Sequence, residues 1–234
     1  MDAPWVPWLW VGIGVVYLVL SSFAASVWAA PVWTTALVFV ISLVFFAGAA
    51  LFWHASARGK FLVWRGLLAV LPAPAQALDL GCGRGAVSIM TAQAFPDARI
   101  VGVDLWRSVD QSGNSPAAAE ANAVENGVAD RIRFVTGGMT TLPDLEHAFD
   151  LVTASLSIHN IHSADGRATA IDEAWRVLSP GGRLVIVDIS KVDEYAARLG
   201  ALGATELSVR DGGWGLWWTG PWMATRILVA AKAA

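Results

Sequence analysis

The sequence predicts an α/β protein: a doubly wound, mostly parallel seven-stranded sheet with an antiparallel last strand, preceded by two transmembrane helices. Three observations predict it. No charged side chain and no histidine lies between Asp2 and His54. From Gln76 onward, short apolar runs alternate with helix-forming stretches, the signature of βαβ units. Between the last two strand-like runs lies only a turn-rich link with Gly212, Gly213, Gly215, Gly220 and Pro221. That link is too short for a helical crossover, so those strands pair antiparallel.

Composition agrees. Of the 234 residues, 56% are hydrophobic and 15% charged, against about 45–50% and about 25% in ordinary soluble domains. This excludes a disordered chain and fits a purely soluble globule poorly. A formal net charge of −3 supplies no basic field for nucleic acid, so no nucleic-acid partner is expected. The single cysteine, Cys82, allows neither an internal disulfide nor a multi-thiolate metal site.

The uncharged N-terminal stretch is long enough for two spans of ~20 residues each, and Pro31 divides it. The expected spans are about 8–28 and 33–53. Tryptophans bracket them: Trp5, Trp8 and Trp10 at one end of the first span and Trp28 at the other, with Trp33 opening the second and Trp53 closing it. Indoles prefer the headgroup level, and a ~30 Å core separates two such belts. Gly12, Gly14, Ala24 and Ala25 on one span, and Gly48, Ala49 and Ala50 on the other, allow close helix approach. A signal peptide would carry a basic start, and an in-plane helix a charged face; both are absent. Arg58, Lys60 and Arg65 follow the second span, whereas the connecting turn is uncharged. The positive-inside rule therefore places both termini and the following domain in the cytoplasm. The organisation expected is a hairpin over 1–54, a juxtamembrane helix or linker over 55–75 that roofs the site, and a sheet domain over 76–234.

In that domain, strands are expected over 77–80, 99–104, 131–135, 150–155, 183–189, 204–209 and 226–231. Helices are expected after the first glycine loop through about residue 95, then over 117–126, 168–178 and 194–202. Gly81-Cys82-Gly83-Arg84-Gly85-Ala86 stands between a strand and a helix, the place of a cofactor loop. By spacing alone it reads either as a dinucleotide fingerprint, G-x-G-x-x-A, or as G-x-G-x-G. Asp79 discriminates. A carboxylate there repels a pyrophosphate on the helix N-terminus but suits a ligand bearing an ammonium group, as S-adenosylmethionine does. Asp104, ending the next strand, can accept hydrogen bonds from ribose hydroxyls in either cofactor class.

With these segments, and with Val103-Asp104, Phe149-Asp150-Leu151-Val152 and Val177-Leu178-Ser179-Pro180-Gly181-Gly182-Arg183-Leu184, residues 76–232 resemble a class I S-adenosylmethionine-dependent methyltransferase. Within that family the chain is most similar to the small-molecule, quinone-biosynthesis type. The resemblance implies S-adenosylmethionine as cofactor, methionine-moiety contacts from Asp79, Gly81 and Gly83, ribose contacts from Asp104, and Leu105 and Trp106 over one face of the adenine. It extends the cofactor set to Gly85, Gly138, Met139 and Ser155. One departure is notable. Many relatives carry Gly-Asp after the third strand, where Thr136-Gly137-Gly138-Met139 stands here, leaving the Met139 backbone N–H for the adenine.

Methyl transfer from a sulfonium needs alignment and exclusion of water, with a base only if the acceptor loses a proton. His159, after the fourth strand at the carboxyl edge, is the candidate base, with pocket lining as the structural alternative. His162 is placed on the following turn, and His54 and His147 have no evident partners; no metal is expected. Asp110-Gln111-Ser112-Gly113-Asn114-Ser115 reads equally as a ribose-contacting loop and as a turn in which Asn114 or Ser115 caps the next helix. Tyr195 reads as core or surface packing rather than pocket. Trp214, Trp217, Trp218 and Trp222 read either as loop packing or as an interfacial or pocket wall, the second preferred.

The function expected is a membrane-anchored methyltransferase acting on a small hydrophobic or amphipathic acceptor, with the lipid bilayer as partner through residues 8–53. The alternatives are tethered methylation of a soluble amine or thiol, a nicotinamide-dependent oxidoreductase, and a non-catalytic cofactor-binding scaffold.

Overall fold

In the computed structural model, residues 3–107, 111–142 and 149–234 are described. Two units result: residues 1–60 with 213–224, and residues 61–212 with 225–234.

In the first unit, helix α1 spans Trp5–Ser26 and α2 spans Val32–His54. α1 begins earlier than expected because Pro7 falls in the first turn, where a missing N–H leaves no intrahelical bond unmade. Extended backbone at Pro31, φ −54° and ψ 142°, separates the two. Their contact uses small and hydroxylic residues. Ser42 Oγ donates to the Gly14 carbonyl at 2.8 Å and Ser21 Oγ to the Thr35 carbonyl at 3.1 Å. Gly14 and Gly48 sit close under the rings of Phe46 and Trp10. Ala24 and Ala49 are also buried, whereas Gly12, Ala25 and Ala50 face outward.

Both helices are long and apolar enough to cross a membrane, and only 17% and 22% of their most apolar stretches are buried within the protein. A core helix of a soluble domain would be mostly covered. α2 continues through a π-helical turn, Ala55–Gly59. Packed in the same unit is the segment 213–224, with short 3₁₀ turns at Trp214–Leu216 and Pro221–Met223. His54 stacks on Trp214 with ring centres 4.8 Å apart, and Phe52 meets Trp218 edge-on at 5.2 Å. His54 thus has a partner that the sequence did not reveal.

The second unit begins within α3, Lys60–Leu68. Its sheet comprises β1 (Gln76–Leu80), β2 (Arg99–Asp104), β3 (Ile132–Thr136), β4 (Phe149–Ser155), β5 (Leu178–Asp188), β6 (Thr205–Asp211) and β7 (Arg226–Ala231). The order is β3-β2-β1-β4-β5-β7-β6. All neighbours are parallel except β7, which is antiparallel to both β5 and β6. Helices α4 (Ala86–Ala94), α5 (Pro116–Glu125), α6 (Ala164–Val177) and α7 (Val192–Ala201) complete it.

Element ends shift where caps decide them. α6 starts earlier than expected because Ser163 Oγ accepts from Gly166 N–H at 3.1 Å, one turn upstream. α5 is capped by Ser115 Oγ on Ala118 N–H, with Pro116 in its first turn. Strand β5 starts at Leu178 rather than at 183, since Pro180-Gly181-Gly182 lies within it. The core is aliphatic, with Leu78, Leu80, Val152, Ile171, Leu184, Ile186 and Leu228 essentially inaccessible. At one sheet edge, β6 carries a register shift between Thr205 and Ser208, with Glu206 at φ +49°. Chain order reverses between β1 and β4, which puts the switch point, the usual ligand position of open parallel sheets, at their carboxyl ends.

Candidate active site

Asp79, next to last in β1, is buried, and both its oxygens are engaged. Oδ2 accepts from Ser88 Oγ at 2.6 Å, and Oδ1 from Thr153 Oγ1 at 2.9 Å. Burial pushes its carboxyl up to about 6, against the lowering effect of those two hydroxyls; the Asp104 charge adds a smaller upward push. Ser88 and Thr153 were not singled out in the sequence: a hydroxyl in a helix and another in a neighbouring strand carry no signal until the sheet pairs Asp79 with Thr153.

After β1 the chain turns through Gly81 and Gly83, at φ +66° and +54°. A Cβ on Gly81 would stand 2.3 Å from that of Ser157, so both the turn and the close approach require glycine. Asp104 at the end of β2 ties this loop down. Its Oδ2 accepts from Gly83 N–H at 2.9 Å, and its Oδ1 from Trp106 N–H at 2.6 Å and Asn114 Nδ2 at 3.1 Å. Gln111 Oε1 accepts from Arg84 N–H at 3.0 Å. The polar loop therefore divides its roles: Ser115 caps α5 while Gln111 and Asn114 face the glycine loop and Asp104. Asp110 and His147 lie outside the described residues.

Three non-glycine residues adopt left-handed backbone just past strand ends: Trp106 after β2 (φ +57°), Leu156 after β4 (φ +54°) and Lys191 after β5 (φ +65°). Such conformations cost roughly 1–3 kcal/mol each and gather at functional sites. Trp106 is held by Asp104 and by its indole N–H, which donates to Thr136 Oγ1 at 2.8 Å. Leu105 is half exposed and lies opposite Gly138, and Met139 Cε reaches the space beside Gly81. The loop thus brings Asp79, Gly81, Gly83, Asp104, Leu105, Trp106, Gly138 and Met139 around one sheet edge, with Gly85 at the start of α4. Ser155, ending β4, accepts from the indole N–H of Trp64 on α3 at 2.9 Å. Trp64 is completely buried.

His159 sits in a short 3₁₀ turn after β4. Its Nδ1 lies 2.5 Å from Asp188 Oδ1, and its backbone N–H donates to Asp188 Oδ2 at 3.1 Å. A carboxylate at that distance accepts a hydrogen bond from Nδ1–H, which leaves the lone pair on Nε2. Asp188, last in β5 and fully buried, also accepts from Ile189 N–H at 2.8 Å and Tyr195 Oη at 3.4 Å. Tyr195 is core, and burial, reinforced by the Asp188 charge, pushes its phenol well above the usual range. The loop behind His159 is fixed by Arg167, whose guanidinium donates to the carbonyls of Ile161 and His162 at 2.9 Å each and to Glu194. Asp188 was missed in the sequence; an acid ending the fifth strand was the available signal. Burial raises the Cys82 thiol far above its ordinary range, so it takes no part as a thiolate.

These residues suit a sulfonium nucleoside carrying an ammonium group. Asp104 holds a carboxylate at the carboxyl end of β2, the group that suits ribose hydroxyls. Beside it the Asn114 Oδ1 oxygen is buried with no hydrogen-bond partner among the described residues, an acceptor matched to a hydroxyl donor. Asp79 gives a testable sign. A carboxyl raised from 3.8 to about 6 contributes stability that is complete below 3.8 and lost as pH rises through 6. Its charged form is the one an ammonium ligand favours. Affinity for S-adenosylmethionine should therefore climb with pH up to about 6 and level off above it, and Asp79→Asn should flatten the climb. Calorimetric titration between pH 5 and 7 measures this, and a flat wild-type profile would remove Asp79 from ammonium binding.

The family described as a methyltransferase domain matches residues 77–182. The ubiquinone/menaquinone biosynthesis C-methyltransferase UbiE of Dinoroseobacter shibae is 31% identical over 137 residues, covering 57% of this chain and 51% of that protein. The demethylmenaquinone methyltransferase of Thermus thermophilus is 33% identical over 133 residues, 56% of each chain. This chain thus spans about half the length of the curated relatives it matches. Among solved structures, the 1,6-didemethyltoxoflavin-N1-methyltransferase of Burkholderia thailandensis, with its substrate and S-adenosylhomocysteine bound, superposes with a TM-score of 0.60 at 22% identity. The match covers 76% of this chain and 79% of that one.

Proposed function

We infer that this chain, whose sheet domain is a class I S-adenosylmethionine-dependent methyltransferase domain, transfers a methyl group to a small hydrophobic or amphipathic acceptor while held at a membrane by its N-terminal hairpin. One observation carries the reading: a glycine loop pinned by Asp104 and a histidine held by a buried carboxylate share the carboxyl edge of the sheet, either side of the switch point.

S-adenosylmethionine, when bound, supplies a methyl carbon on a sulfonium, which leaves as a neutral thioether. The chain's residues do the rest. Asp79, Gly81 and Gly83 hold the methionine end, and Asp104 with Asn114 the ribose. Leu105, Trp106, Gly138 and Met139 border the adenine. Gly85 and Ser155, the latter fixed by Trp64, complete the cofactor-binding set. His159 Nε2 takes the proton that the acceptor gives up, and Asp188 keeps the ring in the basic tautomer and balances the imidazolium that forms. Catalysis of this kind rests on alignment and exclusion of water.

The acceptor class is supported by two lines. The relatives just described are named for ubiquinone and menaquinone biosynthesis, and two apolar helices precede the domain. A quinone-like ring or a lipid head group fits both. In this reading the hairpin crosses the bilayer, and Arg58, Lys60 and Arg65 after the second helix support a cytoplasmic sheet domain and termini.

Purified full-length protein incubated with methyl-labelled S-adenosylmethionine and membranes from the source cell, followed by organic–aqueous partition, tests the reading. Label in the organic phase is expected. Label confined to the aqueous phase would turn the hairpin into a tether and the acceptor into a soluble amine or thiol metabolite. Cofactor binding with no label in either phase would favour a scaffold.

A further inference from the structure

Antiparallel neighbours in a sheet are usually joined by two to five residues, yet β6 and β7 are joined through 213–224, which belongs with the helical hairpin. Between Asp211 and Arg226 this link has no charged side chain and four tryptophans. Its inner side is packed: Leu216, Trp218 and Thr219 are buried, with Trp218 against Phe52. Gly59 approaches so closely that a Cβ there would overlap the Gly215 carbonyl oxygen. Its outer side is apolar too. Trp214 is 62% exposed and Trp222 65%. A segment that needed only to pack inward would turn polar side chains outward.

The end of the hairpin to which it is fixed is marked by other indoles. Trp8 and Trp53 meet edge-on at 5.4 Å, and Trp5 and Trp8 are both about two-thirds exposed. Phe52 and His54, which hold Trp218 and Trp214, flank Trp53. At ~1.5 Å rise per residue those contacts lie within ~3 Å of its level along α2. Trp28 and Trp33 mark the opposite end. The link therefore widens one indole belt of the hairpin. The Trp222 indole N–H, moreover, already donates to Thr219 Oγ1 at 3.1 Å, which lowers the cost of taking that ring out of water.

We propose that residues 213–224 are a second membrane-contacting element, with Trp214 and Trp222 seated in the headgroup layer of the bilayer that the hairpin crosses. The proposal rests on the membrane reading above, and the following test separates the two. Nitroxide labels are placed on Trp222→Cys, Leu18→Cys and Val124→Cys in the full chain. Leu18 and Val124 are exposed in the middle of α1 and on α5 respectively. Cys82 is buried with its thiol pushed up, so the introduced cysteines react alone.

In vesicles of phosphatidylcholine and phosphatidylglycerol, relaxation by oxygen and by a water-soluble nickel chelate gives each label's depth. The expected result is a lipid-exposed label at 18, a water-exposed label at 124, and a label at 222 within roughly 5–10 Å of the headgroup boundary. A label at 222 as open to nickel as that at 124, with 18 still in lipid, overturns this inference and leaves the hairpin standing. Nickel access at all three overturns both.

Discussion

Replacing His159 with alanine is expected to slow methyl transfer by about 10²–10⁴-fold, the usual worth of a positioned general base, while cofactor affinity stays near that of the unaltered protein. The split follows from the geometry. The glycine loop and Asp104 lie on one side of the switch point, and His159 hangs from Asp188 on the other. Asp188→Asn serves as the companion. It keeps the size of the buried group but removes the carboxylate that orients the imidazole and balances its charge, so turnover falls. Single-turnover rates across pH, paired with calorimetric cofactor binding, give both quantities. Unchanged turnover in His159→Ala would make His159 a lining residue and Asp188 part of the fold.

Asp104→Ala should act on the other side. Hydrogen bonds to a charged group are worth about 1–3 kcal/mol, roughly 5- to 150-fold in affinity, and this carboxylate accepts three within the protein. Losing it weakens S-adenosylmethionine binding both directly and by freeing the Gly83 and Trp106 backbones. Asp104→Asn retains some acceptor capacity and is expected to fall between. Thermal unfolding without cofactor separates a loss of fold from a loss of contact. Affinity within twofold of the unaltered protein in Asp104→Ala would put the ribose elsewhere.

The sheet was legible because its information is local. Most strands are short apolar runs, and the turns after β1, β2, β3 and β5 carry glycine or an acid, so β7 at Arg226–Ala231 and β2 at Arg99–Asp104 fall where the sequence puts them. Asp104 and the glycine loop were legible for the same reason. What escaped depends on pairing across the fold. Asp188 acquires meaning only because β5 lies beside β4, which brings its carboxylate to the turn carrying His159. Thr153 and Ser88 become partners of Asp79 only through the β1–β4 register and the packing of α4. The Trp64–Ser155 bond joins positions far apart in sequence, and nothing in a lone tryptophan announces it. The four tryptophans after β6 were noticed as a cluster, but periodicity could not say that two would be packed inward or half-covered and two left bare.

The edge strand β6 has a bearing on crowding. A protein confined to a bilayer meets its own copies in two dimensions, where effective concentrations exceed those of the same number of molecules in solution. An unpaired strand edge is then most apt to recruit a neighbour's strand. Here the shift between Thr205 and Ser208 breaks the ladder near its start, and Glu206, turned by its positive φ, is tied to Arg183 at 2.6 Å. The edge thus offers a neighbour's strand no long flat template.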